Sequence, residues 1–121
     1  MTGVANGGDP VTARLTSDFW VRAYLARLQA ANLPAYVLRR GDPTAGAIVV
    51  KVATLDGRAR LYHRSFDLMT GARAWVVLAE GAEAEVDEAI ARQARFDPDL
   101  WAIEVESRDG RALLDEEGLA D

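Results

Sequence analysis

The order of strand-like and helical segments constrains the fold of this chain more than any other feature of its sequence. Four strand-like segments stand between two amphipathic helical segments, and further strand-like residues follow the second helix. Strands and helices in this order build one sheet that the helices cover. The predicted elements are helix 17–31, strands 35–40, 47–54, 59–64 and 73–80, helix 84–95, and strands 102–107 and 112–114. The sequence therefore predicts a single α+β domain with a mixed or mainly antiparallel sheet, two helices and the order α-β-β-β-β-α-β-β.

Apolar periodicity and capping residues define the two helices. In the first helix, side chains at three- and four-residue spacing form one apolar stripe, which consists of Trp20, Val21, Tyr24, Leu25 and Leu28. Thr16 or Ser17 can cap its first turn, and Pro34 cannot continue it. The second helix begins with acidic residues and ends with Arg92 and Arg95, which is the distribution that the helix dipole favours.

The strand-like segments predict a core and the limits of the domain. Asp56 and Gly57 suit a two-residue turn, so the second and third strands should form a hairpin. The predicted core consists of Ile48, Val50, Val52, Leu61, Val76, Leu78, Ile103 and Val105, together with Trp20, Leu25 and Ile90. Residues 1–12 are expected to form a flexible tail, residues 13–114 the domain, and residues 115–121 an acidic tail.

Charge is distributed unevenly along the chain. Residues 1–75 carry ten basic and five acidic side chains, whereas residues 76–121 carry four basic and fourteen acidic ones. Two such halves can neutralise each other across a shared sheet, or they can present a basic and an acidic face to different partners. Neutralisation is favoured, and it predicts that at least one basic side chain pairs with Glu104 or Glu106. The candidates are Arg39, Arg40, Arg60 and Arg64.

Composition excludes several classes of protein. The absence of cysteine excludes disulfides, thiolate metal sites and thiol catalysis. No apolar run approaches the ~20 residues of a membrane span, and residues 1–10 lack the pattern of a secretory signal, so a cytoplasmic location is expected. A net charge of −5 argues against broad affinity for nucleic acid.

Two arginines at the end of the first strand are candidate ligand-binding residues. Arg39 and Arg40 precede Gly41-Asp42-Pro43, and guanidinium groups beside loop amides can hold a phosphate or a carboxylate. The simpler interpretation is a strand that ends in solvated arginines and a turn that needs glycine and proline. The glycines match no nucleotide-binding fingerprint, so no cofactor is predicted.

Acidic residues near the C-terminal strand are the other candidates. Asp97 and Asp99 lack the third oxygen ligand and the glycine of a calcium loop, so a turn is favoured. Glu104 and Glu106 share a strand face, about 7 Å apart. With Asp99 they approach the acidic pattern of metal-dependent nucleases, but Glu106 stands where those enzymes have lysine. His63 has no partner of convincing spacing, so a structural imidazole is favoured over a base. No metal site and no catalytic residue are predicted.

Several motifs resemble those of a known protein family. They are residues 38–43 (Leu-Arg-Arg-Gly-Asp-Pro) with Gly46, the strand that contains Lys51, residues 95–101 (Arg-Phe-Asp-Pro-Asp-Leu-Trp), and residues 104–106 (Glu-Val-Glu). On these motifs the chain is similar, from Arg14 to Leu114, to an uncharacterised family of small alphaproteobacterial proteins, known as a domain of unknown function. The resemblance implies a bacterial protein of one domain, and it supplies no activity, substrate or catalytic residue.

The leading functional hypothesis is a non-catalytic cytoplasmic module that binds a protein partner or a second copy of itself. It rests on the lack of a catalytic or metal-binding pattern and on a charged sheet with open edges. One alternative is a small enzyme or ligand-binding protein whose pocket is formed by Arg39, Arg40, Asp97, Asp99, Glu104 and Glu106. A second alternative is nucleic-acid binding through the basic half.

Overall fold

A computed structural model describes residues 15–116 and 118–119 of the chain. The predicted N-terminal tail, residues 1–12, lies outside these residues. The elements in chain order are α1 (Ser17–Ala30), β1 (Ala35–Arg39), β2 (Ile48–Ala53), β3 (Arg58–Phe66), β4 (Arg73–Ala82), α2 (Glu83–Phe96) and β5 (Trp101–Glu106). The predicted fold class, α+β with two helices and one sheet, is confirmed.

The five strands form one mixed sheet in the order β1-β5-β2-β3-β4. β2, β3 and β4 form an antiparallel meander, and Val50 of β2 lies opposite Tyr62 of β3. The chain then crosses over through α2 and returns as β5, which is parallel to β2 and antiparallel to β1. A parallel pair requires such a crossover, and the helix in it covers one face of the sheet. The sheet is therefore mixed, as the sequence predicts.

The two helices cover opposite faces of the sheet. Alternation along β2 sends Val50 to the cluster that contains α1 and sends Val49 to the cluster that contains α2. Under α1 the buried residues include Trp20, Val21, Tyr24, Leu28, Val52, Trp101, Ile103 and Val105. Under α2 they include Ala59, Leu61, Val86, Ala89, Leu100 and Ala102. The domain is thus a helix–sheet–helix sandwich with a larger core on the α1 side.

Two predicted core residues are exposed, because the position of their strand in the sheet differs from the expected one. β4 is an edge strand, and its Val76 and Leu78 side chains are 39% and 36% exposed. The pairing of β4 with β3 also shifts here: Tyr62 faces Val77 and Leu61 faces Ala79, which leaves Leu78 without an opposite residue. The other predicted core residues are buried or half-buried.

The predicted last strand, residues 112–114, is wrong: these residues form coil and a turn. Ala112, Leu113 and Leu114 are nevertheless buried, and the Tyr24 hydroxyl donates a hydrogen bond of 2.8 Å to the Ala112 carbonyl oxygen. The segment therefore closes the α1 side of the core without joining the sheet. Its short apolar run predicted a buried segment, but such a run does not distinguish a strand from buried coil.

Part of the predicted acidic tail packs on the domain. Leu119 is only 1% exposed, and its carbonyl oxygen accepts a hydrogen bond of 3.0 Å from the Trp75 indole nitrogen. Arg27 of α1 also approaches Glu116 at 3.8 Å. Leu119 thus belongs to the core, whereas residues 117, 120 and 121 of the same segment lie outside the described residues.

In the described part of the chain, neither helix is long and apolar enough to cross a membrane.

Candidate functional site

Arg39 uses its guanidinium group to hold a turn. Its Nε donates to the carbonyl oxygen of Leu100 at 3.1 Å, and its Nη2 donates to that of Pro98 at 2.9 Å. Both acceptors lie in the turn that connects α2 to β5. The side chain therefore joins β1 to this turn through two hydrogen bonds to backbone carbonyls.

The loop after β1 packs tightly on the same turn. The backbone N–H of Asp42 donates to the Asp99 carbonyl oxygen at 3.0 Å, and the Trp101 indole donates to the Asp42 carbonyl at 2.8 Å. Gly41 and Gly46 both lie so close to Asp99 that a Cβ on either would overlap its carbonyl oxygen. The two glycines thus permit a close approach of two backbones.

The remaining predicted site residues near this turn also have structural contacts. The Arg40 guanidinium lies 5.4 Å from the centre of the Trp101 ring, within the range of a cation–π interaction. The Asp97 carboxylate accepts a hydrogen bond from the backbone of Asp99 at 3.1 Å, which shapes the turn. Arg39, Arg40, Asp97 and Asp99 therefore belong to one region, where the loop after β1 contacts the turn before β5.

Glu104 and Glu106 lie away from that region, along β5. Glu104 accepts from Lys51 at 3.0 Å, and Glu106 accepts from the Tyr36 hydroxyl at 3.5 Å near the opposite end of the strand from Trp101. The structure thus brings four of the six predicted ligand-binding residues together and separates the other two. The predicted pairing of an arginine with these glutamates is replaced by contacts from Lys51 and Tyr36, while Arg60 pairs with Glu80 at 3.0 Å.

The Lys51 cluster consists of Lys51, Glu83, Asp87 and Glu104. The Lys51 side chain is buried, and its Nζ lies 2.8 Å from Glu83, 2.7 Å from Asp87 and 3.0 Å from Glu104. Burial alone lowers the pKa of Lys51, but the hydrogen bonds that its ammonium group donates to Asp87, Glu83 and Glu104 outweigh this effect and raise the pKa above its usual value. The ammonium group is thus the cation that lies between the three carboxylates.

The geometry of the Lys51 cluster favours a structural role. Its two acids on α2 are four residues apart, so both point to the sheet from one side of the helix, where they meet Lys51 on β2. The cluster therefore joins α2 to β2 and β5 on the face that α2 covers. The cluster was not predicted from the sequence, because Glu83 and Asp87 also fit the acidic first turns that the helix dipole favours. The position of Lys51 within an otherwise apolar strand was the available signal.

A second feature, which we call the hairpin cleft, lies at the end of the sheet. β3 pairs with β2 only as far as His63, so Arg64, Ser65 and Phe66 pair with β4 alone and project beyond β2. The space beside this overhang measures about 800 Å³. Its walls include the first turns of α1, the loop before β2 and the end of α2, with Ser17, Trp20, His63, Arg64, Arg73 and Trp75 among the lining residues.

Two buried groups predict how stability depends on pH. Burial, with a smaller contribution from Tyr62, raises the pKa of Tyr24, and the pKa of Lys51 is raised as well. Both groups keep their protons in the folded state to a higher pH than in the unfolded chain. Above about pH 10 the unfolded state therefore binds fewer protons, and the free energy of unfolding is expected to fall as pH rises.

Thermal melts over neutral to alkaline pH test this expectation. Tyr24→Phe removes one of the two groups, so its loss of stability above pH 10 should be shallower than that of the wild type. A wild-type free energy of unfolding that stays constant through this range would contradict the assignment.

Comparison with known proteins places this fold in a family. A family model described as "Protein of unknown function (DUF1491)" matches residues 15–115. The chain belongs to the DUF1491 family. The match begins two residues before α1 and ends after Leu114, so the DUF1491 domain includes every helix and strand described above. The resemblance predicted from the sequence motifs is confirmed.

Solved structures of DUF1491 proteins share this architecture. A crystal structure of a family member from Caulobacter crescentus CB15 is 38% identical, with a TM-score of 0.75, and the match covers 84% of this chain and 94% of that one. An NMR structure of a DUF1491 protein from the same organism gives 39% identity, the same coverages and a TM-score of 0.73. The solution structure of protein Atu0922 from A. tumefaciens is 32% identical over 78% of this chain and 86% of that one, with a TM-score of 0.67.

No curated protein matches the chain. The DUF1491 family is described as being of unknown function.

Proposed function

We propose that this DUF1491 protein is a non-catalytic interaction module that associates with a second copy of itself through β4. The observation that supports this proposal is the exposed apolar edge of the sheet. β4 is ten residues long, and Val76, Val77 and Leu78 at its centre are 39%, 45% and 36% exposed. Long, apolar edge strands are templates for pairing with another strand.

One side of the β4 backbone is available for pairing with a further strand. β4 pairs with β3 on its inner side, and in the described part of the chain no backbone hydrogen bond joins residues 74–80 to a segment other than β3. The outer N–H and C=O groups of this strand can therefore pair with a second strand. The other edge strand, β1, has only five residues. Because a longer edge offers more hydrogen bonds and more side-chain contact, β4 is the favoured interface.

The charge pattern of β4 favours an antiparallel pair of identical strands. Arg73 stands at its beginning and Glu80 near its end, with the apolar residues between them. When two copies pair about a two-fold axis near Val77, the basic end of each strand lies beside the acidic end of the other. A parallel pair would place like charges together. Closed two-fold dimers are also the commonest form of self-association.

The tip of the β3–β4 hairpin extends the same surface. Phe66, Leu68 and Met69 are more than half exposed. They lie at the end of β3 and in the turn that leads into β4. Together with β4 they form an apolar strip that a second copy would cover. A strip of this kind at an exposed sheet edge is a predicted site of association.

Light scattering combined with size-exclusion chromatography tests the proposal. The wild type is expected to show a mass that rises towards that of a dimer as concentration increases. Val77→Lys should hold the protein as a monomer, because it places two positive charges beside the two-fold axis. Phe96→Lys is the matched control, since Phe96 is also exposed and apolar but lies at the end of α2. A wild type that stays monomeric at every concentration, or a V77K variant that still dimerises, would contradict the proposal.

A further inference from the structure

We infer that the hairpin cleft binds a small molecule that carries an oxyanion, phosphate or carboxylate, on a flat apolar body. This inference does not require the dimer proposed above, because it rests on the end of the sheet beside α1, but Phe66 and Arg73 belong to both surfaces. The cleft volume of about 800 Å³ lies within the range of small-molecule sites. Three further observations determine the class of ligand.

The first observation is a buried hydrogen-bond donor that lacks an acceptor. Trp20 lines the cleft and is 3% exposed, and its indole N–H has no hydrogen-bond partner among the described residues. The other two indoles both have one: Trp75 donates to Leu119 and Trp101 donates to Asp42. Buried N–H groups in folded proteins nearly always have an acceptor. An oxygen of a bound ligand would supply the acceptor that Trp20 lacks.

The second observation is the positive charge around that donor. The Arg64 guanidinium lies 5.5 Å from the centre of the Trp20 ring and 4.8 Å from that of Trp75, so two aromatic rings hold it in place. Arg73 lines the same cleft, as does Ser17 in the first turn of α1, where the helix dipole is positive. Guanidinium groups match the oxygens of phosphate and carboxylate.

Negative and neutral polar groups also line the cleft. Asp97 is the acidic residue among the lining side chains, and one of its oxygens accepts from the backbone of Asp99. His63, Ser65 and Gln93 add polar groups to the same lining. The Ser17 hydroxyl donates to the Gly46 carbonyl at 2.6 Å. Among the described lining residues, the formally charged side chains are Arg64, Arg73 and Asp97.

The third observation is the apolar part of the wall. Trp75 is half-buried, and Phe66 and Leu15 are exposed beside the cleft. A flat ring can pack on such surfaces while its oxyanion reaches the arginines. The same combination of apolar walls and a few convergent polar groups characterises small-molecule sites in general.

NMR titration of the three indole N–H signals tests the inference directly. The probes are phenyl phosphate, benzoate and inorganic phosphate at constant ionic strength, with benzyl alcohol as the neutral counterpart. The Trp20 signal is expected to move with phenyl phosphate or benzoate, because its N–H gains an acceptor. The Trp101 signal should stay in place, since its donor is already bonded to Asp42. The comparison of phenyl phosphate with benzoate identifies the preferred oxyanion. The comparison of phenyl phosphate with inorganic phosphate measures how much the ring contributes to binding.

Variants distinguish a built site from general attraction of anions. Trp20→Phe removes the donor and keeps an aromatic ring, and Arg73→Gln removes one charge; each should weaken binding at least tenfold. Arg92→Gln removes an exposed charge on α2 and should leave binding unchanged. If Trp20→Phe fails to fold, Arg73→Gln still tests the site. A Trp20 signal that no anion moves, equal shifts of all three indoles, or equal weakening by R73Q and R92Q would overturn the inference.

Discussion

Replacing Lys51 with methionine is expected to destabilise the domain by about 2–3 kcal/mol. Methionine keeps most of the volume of the lysine stem, but it leaves Glu83, Asp87 and Glu104 facing one another without a cation. Loss of one partner from a fully buried ion pair costs about 3–5 kcal/mol. The effect here is smaller because Glu83 and Asp87 are partly exposed and remain in contact with water. Thermal or urea unfolding measures it.

A double-mutant cycle with Glu104→Gln separates the charge effect from packing. Glu104 is the most buried of the three acids, so its removal should relieve part of the repulsion that Lys51→Met creates. The double variant is therefore expected to be more stable than the sum of the two single effects predicts. Strictly additive effects, or a K51M variant as stable as the wild type, would show that the cluster does not join α2 to the sheet.

Gly41→Ala is expected to have a comparable or larger effect, about 3 kcal/mol or more. The added Cβ would overlap the Asp99 carbonyl oxygen and lie 2.6 Å from the Trp101 ring, and both neighbours belong to the close contact of loop and turn. Overpacking of this kind typically costs about 1–3 kcal/mol, and more when the obstacle is backbone. The loop must then move away, which breaks the hydrogen bond from Asp42 to Asp99. The melting temperature reports the loss.

Gly57→Ala is the matched control for this substitution. Gly57 has a φ of +87° but no atom within 4 Å of the position of an added Cβ, so the cost there is backbone strain alone, about 1 kcal/mol. Gly41→Ala should therefore lower the melting temperature clearly more than Gly57→Ala. Equal effects of the two substitutions would contradict the close packing of loop and turn.

Local structure was predictable from the sequence where local chemistry determines it. Apolar spacing identified both helices to within one residue at either end, and Asp56-Gly57 marked the turn between β2 and β3. Strand order was not predictable in this way, because it depends on which distant segments pair. Val76 and Leu78 have the composition of a central strand, yet they lie on the edge strand β4 and are exposed.

The candidate sites show the same limit. Alternation along β2 places Lys51 on the same face as Val49, but only the packing of α2 brings Glu83 and Asp87 to it. The hairpin cleft depends on the overhang of β3 beyond β2, a difference in strand length that the sequence does not reveal. Arg39 was predicted either to bind a ligand or to end a strand as a solvated arginine, but its guanidinium group donates to two carbonyl oxygens of the turn before β5. Its partners are backbone carbonyls, which have no signature in the sequence.

Amide hydrogen exchange measured at low and high protein concentration tests the central proposal most directly. If two copies pair through β4, the outward-facing amides of residues 74–80 should exchange more slowly at high concentration, because they become hydrogen-bonded to the second copy. The outer amides of β1 should exchange at the same rate at both concentrations. Exchange in β4 that is independent of concentration would contradict self-association through this edge.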